Sequence, residues 1–382
     1  MTTSLSVFTL NCWGLGMGVS RDRRARMRAI GQHLAQCQYD IVCLQEVWCP
    51  EDYQTICALA RDVLPYNHLF EHGIIGSGTC ILSKEPIIDA AFHEFSLNGY
   101  PHKILHGDWF AGKGIGVCNI IHRGLKIHVF VSHFHAEYDR NSDIYVGHRV
   151  MQALEAAQWI KLTSSGTDLT IYAGDFNTEP CDVPYWLLRT VGLLHDSWLE
   201  CHSSSGEVGG HTCDTRDNTY SSGSGDTGKR IDYIMYRPGG SSSSARVRTE
   251  LCELPLARRI PASLSAALGR EASYSDHEAV HSVLVIDNTD HDDIDLWHDM
   301  KRQLQAKKHE TVSEAIDVID KAIVGTSFDQ KLYSCISLII WVAFFSTFAQ
   351  LLSDRYYNSH KKSWESEYPL TLAFCLSVAC LH

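Results

Sequence analysis

No two of the 14 cysteines stand in a CxxC pair, so a zinc ribbon and a thioredoxin-type redox motif have no support. The chain also lacks a basic excess: 33 Lys and Arg face 45 Asp and Glu, for a net charge of −12. That balance argues against a strongly basic nucleic-acid clamp, though an enzyme that neutralises phosphate with metal ions can itself be acidic. Residues 1–11 lack the basic n-region and long apolar run of a secretory leader, and they read as a strand. Eleven cysteines precede residue 287. The number is odd, and several sit in apolar runs such as Ile41-Val42-Cys43-Leu44, which predicts reduced core thiols in a cytosolic domain.

What is present fits one large α/β domain with an appendage. The chain has 382 residues, 45% of them hydrophobic and 20% charged, enough to bury a large core. Short apolar runs bounded by turn formers predict strands at 5–10, 41–44, 79–82, 114–121, 127–131, 169–173, 231–236 and 280–286. Helical patterns lie at 21–37, 50–64, 149–162 and 183–191. The first carries Arg21, Arg23, Arg24, Arg26 and Arg28, a run that predicts a solvated cationic face. Ser- and Gly-rich stretches at 202–227 and 239–244 read as surface loops.

The composition shifts after residue 286. Residues 287–332 hold 11 acidic and 6 basic residues, and Val312, Ile316, Ile319 and Ile323 fall on one helix face that could dock on the catalytic domain or on lipid. Residues 332–353 then run for 22 residues without a charge. As a helix they would extend about 33 Å, matching a hydrocarbon core of about 30 Å. The expected organisation is a globular unit at 1–286, an acidic juxtamembrane segment at 287–331 and a transmembrane helix at 332–353, followed by a short second apolar segment at 369–382.

Four blocks place oxygen or imidazole groups at predicted strand ends: Leu10-Asn11-Cys12-Trp13, Leu44-Gln45-Glu46-Val47-Trp48, Gly174-Asp175-Phe176-Asn177 and Ser275-Asp276-His277-Glu278. Asn11, Glu46 and Asp276 offer the hard oxygens that Mg²⁺ prefers. His277 offers a base that titrates near neutral pH. Asp175 and Asn177, two apart, project to the same side of an extended segment.

The order LNCWG, LQEVW, SHFH, GDFN, RIDYI and SDHE resembles the endonuclease/exonuclease/phosphatase superfamily. Within it, GIIGSG at 73–78 and NGYPHKILHGDWFAGKG at 98–114 are similar to the membrane-attached neutral sphingomyelinases of the sphingomyelin phosphodiesterase 2 type. The resemblance covers almost all of residues 1–286. It implies a DNase I-like four-layer α/β sandwich with a C-terminal transmembrane anchor, and Mg²⁺-dependent cleavage of sphingomyelin to ceramide and phosphocholine. A lysophospholipid such as lyso-platelet-activating factor is the alternative substrate; a nuclease is disfavoured, and no nucleic-acid partner is expected.

The same resemblance implies the roles of individual residues. His277 would be the general base, oriented by Asp232. Glu46 would be the principal metal ligand, with Asn11 and Asp276 close by. Asn177 would donate to the phosphate, Asp175 would position water or metal, and His133 would contact phosphate or assist the leaving group, with His135 as its competitor. Asp108 and Lys113 would form a pair that switches between loop states. The expected location is an internal membrane such as the endoplasmic reticulum, with the catalytic domain in the cytosol.

Overall fold

The computed structural model describes residues 2–16, 18–103, 106–203, 209–221, 228–239, 246–265, 268–287 and 294–359. The second apolar segment at 369–382 lies outside these residues, as do 204–208 and 222–227 of the first Ser- and Gly-rich loop and 240–244 of the second.

Alternation along the strands builds the layers. In β1 (Thr2–Asn11) and β2 (Ile41–Gln45), Leu5, Val7, Ile41 and Cys43 enter one core, while Phe8, Leu10, Val42 and Leu44 enter another. Successive strand side chains point to opposite faces, so a strand apolar at every position must be covered on both sides. On one side of β1 and β2 lie α1 (Arg23–Gln36) and α2 (Pro50–Ala60). The other side packs on a second sheet, through residues such as Val129, Val131, Ile171, Ala173 and Ile234.

The first sheet also contains β3 (Tyr66–Leu69), β4 (Cys80–Ser83), β11 (Arg246–Glu253) and β12 (Val280–Asp287), in the order β11-β12-β1-β2-β4-β3. The second contains β5 (Ile87–Glu94), β6 (Gly114–His122), β7 (Leu125–His133), β8 (Leu169–Asp175), β9 (His195–Asp196) and β10 (Asp232–Pro238), in the order β5-β6-β7-β8-β10-β9. Helices α3 (Val146–Thr163) and α4 (Val183–Thr190) cover its outer face. The result is a four-layer α/β/β/α sandwich. Short helices α5 (Ser197–His202) and α6 (Ala262–Ser265) lie in its connections.

A last helix, α7 (Ile294–Ser359), contributes to two compact units, Met1–Ile319 and Asp320–His382. Within the first unit, Leu304, Thr311 and Ala315 are buried, and Val312, Val318 and Ile319 pack on the outer core of the second sheet. Of the expected amphipathic face, Val312 and Ile319 dock on protein, whereas Ile316 and Ile323 stay 55% and 56% exposed. Thr311 and Ala315 are small enough to bring the helix close, and they turn the contact face away from Ile316. In the second unit, helical residues carry the apolar stretch; the helix is long and apolar enough to cross a membrane, and none of its most apolar window is buried.

The five arginines around the first helix do not share one environment. Arg24 and Arg28 are exposed as a solvated face requires, whereas Arg26 is 0% exposed. It lies four residues before Ile30 and eight before Leu34, both core residues, so it shares their face. No disulfide forms among the described residues, and Cys12, Cys43, Cys80, Cys118 and Cys252 are buried free thiols.

Candidate active site

Strand register assembles half of the site. β7 runs parallel to β8, with His133 opposite Asp175, and β10 runs antiparallel to β8, with Asp232 opposite the same Asp175. His133, Asp175 and Asp232 therefore form one row across three strands. Gly174 permits this: at φ +148° a Cβ there would lie 2.0 Å from Ser132 O. The other half comes from the first sheet, where Asn11 pairs with Gln45 in the parallel β1–β2 ladder and Glu46 follows directly. Gly14 lets the chain after β1 lie against Glu46, since a Cβ would meet Glu46 O at 2.2 Å. Trp13, Glu46 and Asn177 all hold positive φ, a costly conformation for residues with a Cβ and one that gathers at functional sites.

Asn11 joins the halves. Its Nδ2 donates to Glu46 Oε1 at 3.1 Å and to Asp175 Oδ2 at 2.9 Å. His277 Nδ1 sits 2.8 Å from Asp232 Oδ2, and His277 Nε2 faces Asp175 Oδ2 at 3.9 Å. Asp175 Oδ1 accepts from Asn177 N at 2.9 Å, and Asn177 Nδ2 donates to Phe134 O at 3.1 Å. Asp276 Oδ1 accepts from Ser275 Oγ at 3.2 Å. Every residue singled out for catalysis or metal binding thus comes to one place, at the converging ends of the two sheets.

The two candidate histidines occupy different surroundings. His133 Nε2 lies 3.5 Å from Asp175 Oδ2 and 3.3 Å from Lys113 Nζ. His135 turns away and stacks on Tyr145, with ring centroids 3.9 Å apart. Lys113 also donates to Phe134 O at 2.8 Å and is ion-paired with Asp108, both side chains buried. Asp108 further accepts from Tyr138 OH at 2.5 Å. Burial opposes ionisation of Asp108, but Lys113, His135 and the hydrogen bond from Tyr138 together outweigh it and hold the carboxyl well below the usual range.

Burial sets the remaining proton affinities. Desolvation, then the Asp232 charge, raises Asp175 to about 7. Desolvation and Asp276 raise Glu46, and desolvation raises Asp276. Desolvation, helped by Lys113, pushes His133 well below the ordinary imidazole range. For His277, burial disfavours the cation, but Asp232, Cys213 and Asp175 favour it more, so the ring is raised well above the ordinary value.

Two groups of donors suit a cation. Asp175, Asp232 and His277 offer ligand atoms all within 4.8 Å of one another, a buried cluster that could hold a metal ion. Glu46 Oε2 is sealed from solvent and has no hydrogen-bond partner, as does Asp232 Oδ1. Unpaired buried carboxylate oxygens are costly unless a cation meets them, so the residues present fit a hard divalent ion.

Three supporting residues escaped the sequence reading. Arg26 donates from Nη1 to Cys12 O at 2.7 Å and from Nη2 to Trp13 O at 2.7 Å, and Nη1 also reaches Tyr274 O at 3.3 Å. It thereby ties the segment after Asn11 to the one before Asp276. Ser275 Oγ donates to Asn11 O at 2.6 Å, and Thr212 Oγ1 accepts from Asp232 N at 3.1 Å. Arg26 left a signal in its spacing from Ile30 and Leu34, Ser275 stood in the SDHE block without a role of its own, and Thr212 left none. Beside His277 and Asn177 opens a cleft of about 120 Å³, lined also by Glu137, Glu179, Lys229 and Ile231.

Two sheets packed face to face, with acids and imidazoles gathered where their strand ends meet, define a DNase I-like fold. The Endonuclease/Exonuclease/phosphatase family model matches residues 8–277, and the chain belongs to that family. It is similar to human sphingomyelin phosphodiesterase 2, at 41% identity over 61% of this chain and 56% of that one. It is also similar to an inositol phosphosphingolipids phospholipase C of Schizosaccharomyces pombe, at 35% identity over 74% of this chain and 68% of the relative. The chain thus spans little more than half the length of the human relative. Among solved structures, sphingomyelinase C from Streptomyces griseocarneus shares the fold with a TM-score of 0.53 at 17% identity, covering 74% of this chain and 99% of its own.

Proposed function

We propose that this chain is a Mg²⁺-dependent phospholipase C-type phosphodiesterase that hydrolyses sphingomyelin to ceramide and phosphocholine at a membrane. The observation that carries the reading is the His277–Asp232 pair set against Asp175 and Asn177 in a family whose similar members are named for sphingolipid phosphodiester cleavage.

Asp232 holds Nδ1 of His277, leaving Nε2 to take a proton from the attacking water. Asp175 lies within reach of that nitrogen and orients the water. Asn177 is held by its backbone bond to Asp175 with its amide at the cleft, where it donates to the phosphoryl oxygens as charge builds. His133 lies across Asp175 from His277 and contacts the phosphate on the leaving-group side. Glu46, with Asn11 and Asp276, would hold the Mg²⁺, which when bound supplies Lewis-acid neutralisation of phosphoryl charge and offsets the carboxylates that raise His277. The Asp108–Lys113 pair, through Lys113 on His133, is the contact through which the state of the 98–114 loop would reach the site.

The apolar part of α7 would anchor the chain in an internal membrane, with the catalytic unit in the cytosol. The reaction is tested with choline-labelled sphingomyelin, lyso-platelet-activating factor and plasmid DNA side by side. Release of phosphocholine from sphingomyelin at the highest kcat/KM is expected. Preference for the lyso-lipid, or nicking of DNA alone, would overturn the substrate. Protease added outside sealed microsomes should digest the catalytic unit; full protection would overturn the orientation.

A further inference from the structure

Buried strands explain most of the apolar residues of the catalytic unit, and among the exposed ones three stand together. Ile74 is 76% exposed, Ile75 45% and Trp109 43%. They belong to one structure. Gly73 forms a β-bridge with Ala111, and Gly112 N donates to Gly76 O at 3.2 Å, so both ends of the Ile74-Ile75 pair are fastened to the segment that begins at Trp109. The glycines make this close seam possible: a Cβ on Gly73 would lie 2.4 Å from Gly112 N.

The seam borders the candidate site on both sides. Val47, next to Glu46, donates from its backbone N to Gly78 O at 2.9 Å, and a Cβ on Gly78 would lie 2.9 Å from the Trp48 ring. On the other side the chain runs from Gly112 directly into Lys113, whose Nζ is 3.3 Å from His133. The apolar tips therefore stand at the rim of the site. No residue of 73–82 or of 109–112 is charged.

We propose that Ile74, Ile75 and Trp109 form a docking rim that seats the active site on a zwitterionic phospholipid surface. The inference deepens the lipid-phosphodiesterase reading and rests on it for the choice of occupant: a substrate whose scissile phosphate lies at a bilayer surface brings this rim to that surface. Isoleucine enters the acyl boundary, and an indole suits the headgroup level. The absence of lysine or arginine on both segments matches neutral headgroups rather than anionic ones.

The test uses the full chain in phosphatidylcholine nanodiscs, with and without lipid brominated high on the acyl chain. The Trp109 signal is the fluorescence difference between the wild type and Trp109→Phe. Brominated lipid should quench it, while aqueous acrylamide reaches it poorly. A signal open to acrylamide and untouched by bromine overturns the proposal. So does a signal shielded from both, which would place a second copy of the chain or other protein there. The double substitution Ile74→Ser with Ile75→Ser should abolish the quenching. It should also lower hydrolysis of sphingomyelin in bilayers about tenfold or more, as expected for withdrawing two isoleucines from hydrocarbon, with a water-soluble phosphocholine ester cleaved as before. Equal loss on both substrates, or on neither, overturns the rim. If the wild type cleaves neither substrate, the lipid-phosphodiesterase reading fails, and quenching still decides the docking.

Discussion

Replacing Arg26 by lysine should separate the stability of the fold from the geometry of its site. The guanidinium serves four carbonyls: Arg21 O from Nε at 2.9 Å, and Cys12 O, Trp13 O and Tyr274 O from the two Nη atoms. It also lies over the Trp13 and Tyr220 rings, 4.8 and 5.4 Å from their centroids. Hydrogen bonds to a charged group are each worth about 1.5–3 kcal/mol. Arg26→Met would strand several buried carbonyls and remove an amount comparable with the roughly 5–15 kcal/mol that holds a domain together. An ammonium can still reach one or two of them, so Arg26→Lys should cost about 3 kcal/mol and leave the protein folded at 25 °C. The larger effect should be on catalysis. Cys12 and Trp13 follow Asn11, and Tyr274 stands two before Asp276, so losing the fork loosens two segments that carry metal-side oxygens. A displacement of about 1 Å at such groups costs on the order of a hundredfold in rate. Denaturant midpoints and steady-state turnover well below the melting temperature read the two effects. The expected pattern is a lowered midpoint, kcat down about 10- to 100-fold, KM little changed, and a silent Arg28→Ala control on the exposed face. Wild-type turnover in Arg26→Lys, whatever its midpoint, would refute the positioning argument.

His277→Ala should remove about two to four decades of turnover and, by leaving the buried Asp232 carboxylate without its partner, also lower the melting temperature; wild-type turnover in the folded variant would end its assignment as base. Asp232→Asn preserves volume but removes the charge 2.8 Å from His277, so it should approach the His277→Ala rate; a loss under tenfold would show that Asp232 does not orient the ring. Mg²⁺ should raise the melting temperature by binding only the folded chain, and Glu46→Gln should abolish that shift; a shift that persists would move the ion to the Asp175–Asp232–His277 cluster. Full activity after removal of metal by a chelator would sink the metal requirement. Deleting residues 330–382 should leave an enzyme that cleaves detergent-dispersed lipid but no longer sediments with carbonate-washed membranes; if the full-length chain is itself washed off, α7 does not span.

What could be read from the sequence follows the physics of burial. Strands β1, β2, β4, β6, β7, β8, β10 and β12 were all legible because each is a central strand whose apolar run is buried. The four that escaped, β3, β5, β9 and β11, are the four edges of the two sheets. β5 is mostly exposed, β11 buries only Val247 and Cys252, and β9 is only two residues long. An edge strand takes its conformation from hydrogen bonds to a neighbour, and nothing in its own hydropathy records that neighbour. The site divides the same way. Its side chains announce themselves as short motifs at strand ends, whereas the atoms that hold them do not. Arg26 resembled its solvated neighbours in composition and differed only in phase. The grip of Thr212 on the Asp232 amide depends on a loop closing across a long stretch of chain.

The arrangement of charge explains why the site must be held from behind. Glu46, Asp175, Asp232 and Asp276 enclose a small volume into which His277 and His133 also point, and burial raises the proton affinity of Glu46, Asp175 and Asp276. Such a cluster repels itself in a medium of low dielectric. The fold opposes that repulsion with two cations of different kinds. Arg26 is bound to the backbone behind the first sheet's strand ends, where its fixed fork keeps the segments of Asn11 and Asp276 together. Lys113 reaches in from a loop and lies on His133, paired with Asp108. Neither ammonium nor guanidinium meets Glu46 Oε2 or Asp232 Oδ1, which remain without a partner. The charge that the protein leaves uncompensated therefore lies between the His277–Asp232 pair and the Glu46 side of the site, where a divalent ion would serve both folding and phosphodiester chemistry.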